Sequence, residues 1–182
     1  MKFYDQLAPH HLEFIAAQKM FFVASAPLAA EGHVNLSPKG LDSFVILGED
    51  RVAYIDLGGS GVETQAHLRE NGRLCIMFCS FEGAPLITRL YGTGRAHPYG
   101  TAEFDLLRQH FPGVTVPVRG IIELSVKSVQ DSCGWGVPLY DFVGERKQLT
   151  DHNGSRTQDE HMERRYLTNE SSIDGLPGLT RP

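Results

Sequence analysis

A glycine-rich turn at residues 58–61, Gly-Gly-Ser-Gly, is the segment best suited to bind a ligand. It follows a predicted strand that ends near Asp56 and precedes a predicted short helix. Glycines let the backbone turn sharply and leave its N–H groups uncovered. The start of the helix directs further free N–H groups, and the positive end of its dipole, at the same turn. With the Ser60 and Thr64 hydroxyls, this favours a phosphate or another anion, although a plain strand-to-helix turn fits the same residues.

Other reactive residue types lack the context that chemistry would need. Ser37 is not in a Gly-x-Ser-x-Gly sequence, so it does not predict a nucleophile. His67 and His97 have no recognisable triad or metal partner at a useful spacing. Cys75 and Cys79 share one face of an apolar strand, which favours core cysteines over a metal pair. We therefore predict no catalytic side chain and no metal ligand.

Composition limits the class of protein. The 182 residues carry a net charge of −5, and this acidic balance argues against a nucleic-acid-binding surface. The sequence has no apolar run long enough to predict a membrane span. Three cysteines and an N-terminus without an apolar core favour a reduced, cytoplasmic setting. We expect one domain over residues 1–182, in which residues 132–182 are a C-terminal extension that docks on the body or on a second subunit.

The elements that must position the turn are mostly strands. The pattern predicts a helix over 4–19, five or six strands in near succession between 20 and 129, and short helices after residues 61, 101 and 157. The strand at 34–37 should end at the Pro38-Lys39-Gly40 turn. Gly92 and Gly94 share one face of the strand at 86–97, which indicates a bend or a close approach. This order favours a mainly β fold with flanking helices, built as an antiparallel barrel.

The order of these segments resembles a known family. A strand, Ser-Pro-Lys-Gly, a hairpin, Gly-Gly-Ser-Gly, a helix and then Asn-Gly-Arg-Leu-Cys-Ile-Met-Phe from residue 71 are similar to the pyridoxamine 5′-phosphate oxidase-like, FMN-binding split-barrel family over residues 10–130. The Ser-Cys-Gly-Trp-Gly-Val-Pro segment from 132 and the Ser-Ile-Asp-Gly-Leu-Pro-Gly-Leu segment from 172 are similar to an uncharacterised bacterial branch of it. The resemblance implies a split β-barrel, bound FMN and a homodimer with flavin at its interface.

The resemblance also implies a set of flavin-binding positions. Asp56 serves equally well as a helix cap, Arg89 could pair with an acidic neighbour, and Trp135 could anchor an interface or stack beside the flavin ring. The implied cofactor-binding residues are Val34, Asn35, Leu36, Ser37, Pro38, Lys39, Tyr54, Ile55, Asp56, Ser60, Gly61, Thr64, Arg89 and Trp135.

The sequence departs from the oxidase at the phosphate. The oxidase has a Ser-Arg-Lys run before the helix, whereas residues 60–64 here are Ser-Gly-Val-Glu-Thr and contain no base. Backbone N–H groups, the Ser60 and Thr64 hydroxyls, and Lys39 or Arg89 must then bind the anion. The oxidase's Arg-x-His substrate run is absent as well. We expect an FMN-dependent oxidoreductase acting on an unidentified small molecule. The alternatives are a flavin or haem carrier or sensor, and a reductase that uses the deazaflavin F420.

Overall fold

A computed structural model describes residues 1–181 as one antiparallel sheet with five helices around it. The strands are β1 (Lys2–Tyr4), β2 (Phe21–Ser25), β3 (Asn35–Lys39), β4 (Phe44–Gly48), β5 (Arg51–Asp56), β6 (Arg73–Cys79), β7 (Ile87–Pro98) and β8 (Gly120–Ser132). The helices are α1 (Pro9–Ala17), α2 (Glu63–Glu70), α3 (Ala102–Arg108), α4 (Gln148–Gly154) and α5 (Gln158–Thr168). None of these helices is long and apolar enough to span a bilayer.

The sheet has the strand order β3-β2-β6-β7-β8-β5-β4, with β1 paired to β8. All of these pairings are antiparallel, and the sheet curls around an apolar interior lined by side chains such as Val23, Ile76, Leu90 and Leu124. The predicted mainly β split barrel with flanking helices is confirmed. The predicted number of strands, five or six, was too low. The predicted helix over 4–19 was too long, since α1 begins only at Pro9, a residue that suits the first turn of a helix.

The prediction that the strand at 34–37 ends at the turn Pro38-Lys39-Gly40 was wrong. Pro38 and Lys39 both belong to β3 and pair with Phe22 and Phe21 of β2. Because β3 stands at the end of the strand order, the missing N–H of proline costs no ladder hydrogen bond. The alternation along β3 therefore continues to Lys39, whose side chain shares the face of Asn35 and Ser37.

The predicted close approach at Gly92 and Gly94 is confirmed. The β7–β8 register shifts at Gly92, where a Cβ would overlap the carbonyl oxygen of Ser125. A Cβ at Gly94 would lie 2.7 Å from Leu68 of α2. The two glycines thus allow the longest strand pair to bend and let α2 pack against it.

The residues after β8 contact the body of the fold. Helix α5 begins with the predicted capping box, in which the Thr157 hydroxyl accepts from the Glu160 N–H and the Glu160 carboxylate accepts from the Thr157 N–H. Helix α4 was not predicted. Beyond α5, Ser171 and Pro177 form a bridge, and Gly178 packs against Val62 immediately before α2.

Candidate functional site

The glycine-rich turn joins β5 to α2, and side chains from later in the chain bind its carbonyl groups. Gly58 adopts a φ of 76°, a conformation that favours glycine. Four carbonyls of this loop accept hydrogen bonds from polar side chains that lie after β5 in the chain. The pairs are Leu57 with Asn153 at 2.7 Å, Gly59 with Arg165 at 2.7 Å, Ser60 with Asn169 at 3.1 Å and Gly61 with Arg119 at 2.7 Å.

The N–H groups of the same loop are left for another partner. Within residues 1–181, no protein group accepts from the N–H of Gly59, Ser60 or Gly61. Gly59 and Ser60 are exposed, and a Cβ at Gly59 would meet nothing within 4 Å. The loop therefore presents unpaired donors next to the start of α2, as an anion site requires.

A polar cavity of about 390 Å³ lies against this loop. Ser37 donates to Asn35 at 3.1 Å, and Asn35 donates to Thr64 at 2.9 Å, which ties β3 to α2 across the cavity. The cavity is lined by Asn35, Ser37, Lys39, Gly59, Ser60, Gly61, Glu63, Thr64 and Arg119. Six of these are residues that the resemblance predicted, and they come from two separate parts of the chain.

Lys39 is the free cation of this cavity. Among the described residues, its ammonium makes no ion pair. Burial lowers its pKa, the Asp56 carboxylate opposes that change, and the nearby Arg119 adds to it. A partly desolvated lysine without a counter-ion gains from a bound anion.

Arg119 and Asp56 form a buried ion pair behind the loop. Both side chains are less than a tenth exposed, and the closest nitrogen–oxygen distance is 2.9 Å. Gly58 and Gln65 also donate to the Asp56 carboxylate, each at 3.0 Å. Burial alone would raise the pKa of this carboxyl, but Arg119, Lys39 and these hydrogen bonds lower it to about 2. Asp56 stays ionised and fixes the loop from its inner side.

An apolar groove of about 930 Å³ begins where the polar cavity ends. Phe22 and Pro38 form its floor, and the segment 140–146 forms one wall, held by the hydrogen bond from the Tyr140 N–H to the Phe81 carbonyl at 3.0 Å. Lys39 lines both the groove and the cavity. Phe22 and Pro38 lie on the opposite face of β2 and β3 from Asn35 and Ser37, so a ligand with an anionic end and a flat apolar body would occupy both by crossing the edge of the sheet at Lys39.

The structure places the remaining predicted residues outside the cavity. Tyr54 and Ile55 are buried in the cores on either face of β5, and burial raises the pKa of the Tyr54 phenol. Val34 and Leu36 are exposed at the sheet edge. Arg89 shares the face of Pro38 rather than that of Lys39, and it donates to Ser132 at 3.1 Å. Trp135 is 82% exposed in a turn that begins at Gly134.

Sequence reasoning missed Arg119, Asn153, Arg165 and Asn169. Arg119 stands immediately before a strongly apolar strand, which is an unusual place for a base and the one local signal available. Its role depends on the β5–β8 register, which places Gly120 opposite Asp56. The other three lie in the extension, where nothing in the sequence shows which loop they contact.

A second polar cluster lies away from the cavity, between α1 and β8. His10, His11 and Asp131 place their nearest atoms within 4.8 Å of one another. The Ala8 N–H donates to His11 Nδ1 at 2.8 Å, so His11 Nε2 carries the ring proton and donates to Asp131 at 3.1 Å. Since that nitrogen has no free lone pair, the cluster is arranged to anchor the helix rather than to bind a cation.

Comparison with known proteins agrees with this architecture. A sequence model described as pyridoxamine 5′-phosphate oxidase matches residues 7–133 of the chain. The chain belongs to the pyridoxamine 5′-phosphate oxidase family. It is 37% identical over 198 residues to the pyridoxamine 5′-phosphate oxidase family protein ustO of Aspergillus flavus, covering 97% of this chain and 77% of that protein. The similarity to this family member thus includes the C-terminal extension.

Solved structures show the same fold at low identity. HupZ from Group A Streptococcus aligns with a TM-score of 0.56 and 19% identity, over 74% of this chain and 99% of that one. A pyridoxine phosphate oxidase family protein from Clostridium acetobutylicum, related to general stress protein 26 of Bacillus subtilis, aligns with a TM-score of 0.51 and 13% identity, over 68% and 86% of the two chains. These likenesses support the split-barrel fold.

Proposed function

We propose that this family member binds FMN and is an oxidoreductase acting on a small soluble molecule in the cytoplasm. The observation that carries the proposal is the position of Lys39 at the junction of the polar cavity and the apolar groove. FMN combines a phosphate, which suits the polar cavity, with a flat tricyclic ring, which suits the apolar groove.

The residues present fit both ends of this cofactor. The phosphate would be held by the unpaired N–H groups of the loop, the Ser37 and Thr64 hydroxyls and the Lys39 ammonium. The ring would cross the edge of the sheet at Lys39 and lie in the groove against Phe22 and Pro38, on the face opposite the phosphate. When bound, the flavin supplies the redox chemistry, and the protein supplies binding, orientation and exclusion of water.

FMN should bind more tightly than riboflavin, because riboflavin lacks the anion that the cavity accepts. We expect the ratio of the two dissociation constants to be about 100 or more, since several charge-assisted hydrogen bonds are lost together. Titration of the purified protein with each flavin measures this ratio. Equal affinities would contradict the phosphate site. In Thr64→Val, which retains the shape of the side chain, FMN affinity should fall about fivefold, as for one hydrogen bond.

We further propose that the protein forms a homodimer through the outer face of the sheet. The register aligns Leu36, Ala24, Cys75 and Tyr91 in one row across four strands. Leu36 is 65% exposed and Tyr91 is 37% exposed, so this row leaves an apolar stripe in contact with water. A second copy would cover it by presenting the same stripe about a two-fold axis.

Light scattering coupled to gel filtration tests this arrangement. Wild type should elute at twice the monomer mass, and Leu36→Glu should elute as a monomer. Leu106→Glu is the matched control, since Leu106 is 66% exposed on α3, outside the stripe. A wild-type monomer at micromolar concentration, or dissociation by both variants, would contradict the proposed interface.

The enzymatic part of the proposal depends on space beside the ring. The open apolar groove leaves such space, which favours an enzyme over a carrier that encloses its cofactor. We expect a nicotinamide or another soluble donor to reduce the bound flavin under anaerobic conditions. We propose that the segment 132–138 borders the space through which the donor reaches the ring. Trp135→Ala should then change that rate more than it changes FMN affinity, because Trp135 is exposed outside the cavity and the groove that would hold the cofactor. Failure of every donor would favour the carrier.

A further inference from the structure

The C-terminal extension places a buried arginine against the back of the anion-binding loop. Arg165 lies on α5, is 7% exposed, and donates to the Gly59 carbonyl at 2.7 Å. Its Nε and the Nε2 of His161 have no hydrogen-bond partner in residues 1–181. A Cβ at Gly58 would lie 3.1 Å from each of these two nitrogens. The loop therefore passes directly over a cation that has no carboxylate of its own.

Arg165 is one of three cations close to the loop. Lys39, Arg119 and Arg165 are all close enough to interact electrostatically with the buried carboxylate of Asp56. Arg119 is paired with Asp56 directly, while Lys39 and Arg165 are not. The acid on the cavity wall, Glu63, accepts from the Ile173 N–H at 3.2 Å. Lys39 and Arg165 thus bring to the loop positive charge that no carboxylate of residues 1–181 pairs with directly.

We propose that Arg165 is a positioning residue for the phosphate of the flavin, supplying positive charge from behind the loop and holding the loop amides toward the cavity. This inference rests on the proposed phosphate site. The family's oxidase pattern carries bases at the front of the loop, whereas residues 60–64 here contain none. The extension thus provides, from the opposite side, charge that the loop itself lacks. Because Arg165 is desolvated, its field is screened less than that of an exposed arginine.

Two substitutions separate charge from structure. Arg165→Gln removes the charge and retains an N–H donor near the Gly59 carbonyl, whereas Arg165→Lys retains the charge. Arg164→Gln is the matched control, since Arg164 is exposed one position away on the same helix. Thermal melting of each variant establishes that it folds.

The flavin titrations have a clear expected pattern. Arg165→Gln should weaken FMN binding about 10- to 100-fold and leave riboflavin binding within about twofold. Arg165→Lys should recover most of the loss, and Arg164→Gln should match wild type. Equal weakening of FMN and riboflavin, or the same loss in Arg165→Lys as in Arg165→Gln, would reduce Arg165 to a structural contact and overturn the inference.

A second titration distinguishes this inference from the proposed function. Inorganic phosphate is added to the flavin-free protein, and the amide resonances of Gly59, Ser60 and Gly61 are followed by NMR. If wild type binds neither flavin but these amides shift with phosphate, and shift less in Arg165→Gln, the flavin proposal fails while the role of Arg165 in positioning the loop for a phosphate stands. If the wild-type amides do not respond to phosphate, or respond equally in Arg165→Gln, the inference fails.

Discussion

Replacing Arg119 with methionine should strongly destabilise the fold, because it leaves a buried carboxylate without its counter-ion. Methionine preserves much of the apolar stem but removes the guanidinium. Asp56, which is 6% exposed, then keeps only its donors from Gly58 and Gln65. Removing one partner of a buried ion pair typically costs about 3–5 kcal/mol. The same change also removes the donors to Gly61 and to Asn169.

The destabilisation should depend on pH in a direction that identifies Asp56. In wild type the Asp56 pKa of about 2 lies below its unfolded value, so its contribution is present above about pH 4 and is lost as the pH falls toward 2. In Arg119→Met, burial is opposed only by Lys39 and by the hydrogen bonds from Gln65 and Gly58, so the pKa of Asp56 rises from its wild-type value. The variant therefore binds the Asp56 proton at a higher pH than wild type does, and its deficit relative to wild type should shrink as the pH falls through that raised pKa toward 2.

Urea denaturation followed by circular dichroism measures both effects. Arg51→Met is the control, because Arg51 is 53% exposed and pairs with Glu123 at 3.5 Å, a surface pair expected to contribute less than about 1 kcal/mol. A double-mutant cycle with Asp56→Asn gives the coupling energy. If the two substitutions are additive, and the deficit of Arg119→Met is the same at about pH 3 as at pH 7, the reasoning from the buried pair is refuted.

Two further predictions concern the extension and the sheet. Burial, with Arg165 and Arg119, lowers the pKa of His161 to about 4, so the free energy of unfolding should fall by up to about 3 kcal/mol as the pH drops from 6.5 to 4. His161→Gln should lose less over that range in urea titrations, and equal losses would contradict this assignment. Gly92→Ala should lower the melting temperature by more than about 4 °C, since its Cβ overlaps the Ser125 carbonyl, whereas Gly113→Ala, with open space around it, should change it little. Equal melting temperatures of the two variants would contradict the close approach.

The fold could be predicted because its signals are local. The alternation along β7, the two glycines on one of its faces and the Thr157 capping box each act within a few residues, and each is confirmed. The boundary of β3 was wrong because an edge strand tolerates Pro38, which the sequence alone would place in a turn. The local sequence determines that a strand forms, but the pairing of that strand in the sheet determines the residue at which it ends.

The candidate site was predictable only where a single loop makes it. The glycine-rich turn and Thr64 could be recognised from sequence, because strand, turn and helix are contiguous there. Arg119 reaches the turn through the pairing of β8 with β5, and Arg165 reaches it through the docking of α5. No spacing in the sequence encodes either contact. Arg89, an equally reasonable choice from the sequence, lies on the opposite face of the sheet from Lys39.

The two sides of the glycine-rich loop are thereby coupled. Its carbonyls are bound by Arg119, Asn153, Arg165 and Asn169, while the amides at residues 59–61 remain unpaired. A glycine-rich loop loses much conformational entropy when it is ordered. The hydrogen bonds to its carbonyls offset that loss in the absence of a ligand. An anion that binds the amides then meets a loop that is already fixed. By reciprocity, the bound anion must stabilise the docking of the extension by the same free energy that the extension contributes to anion binding.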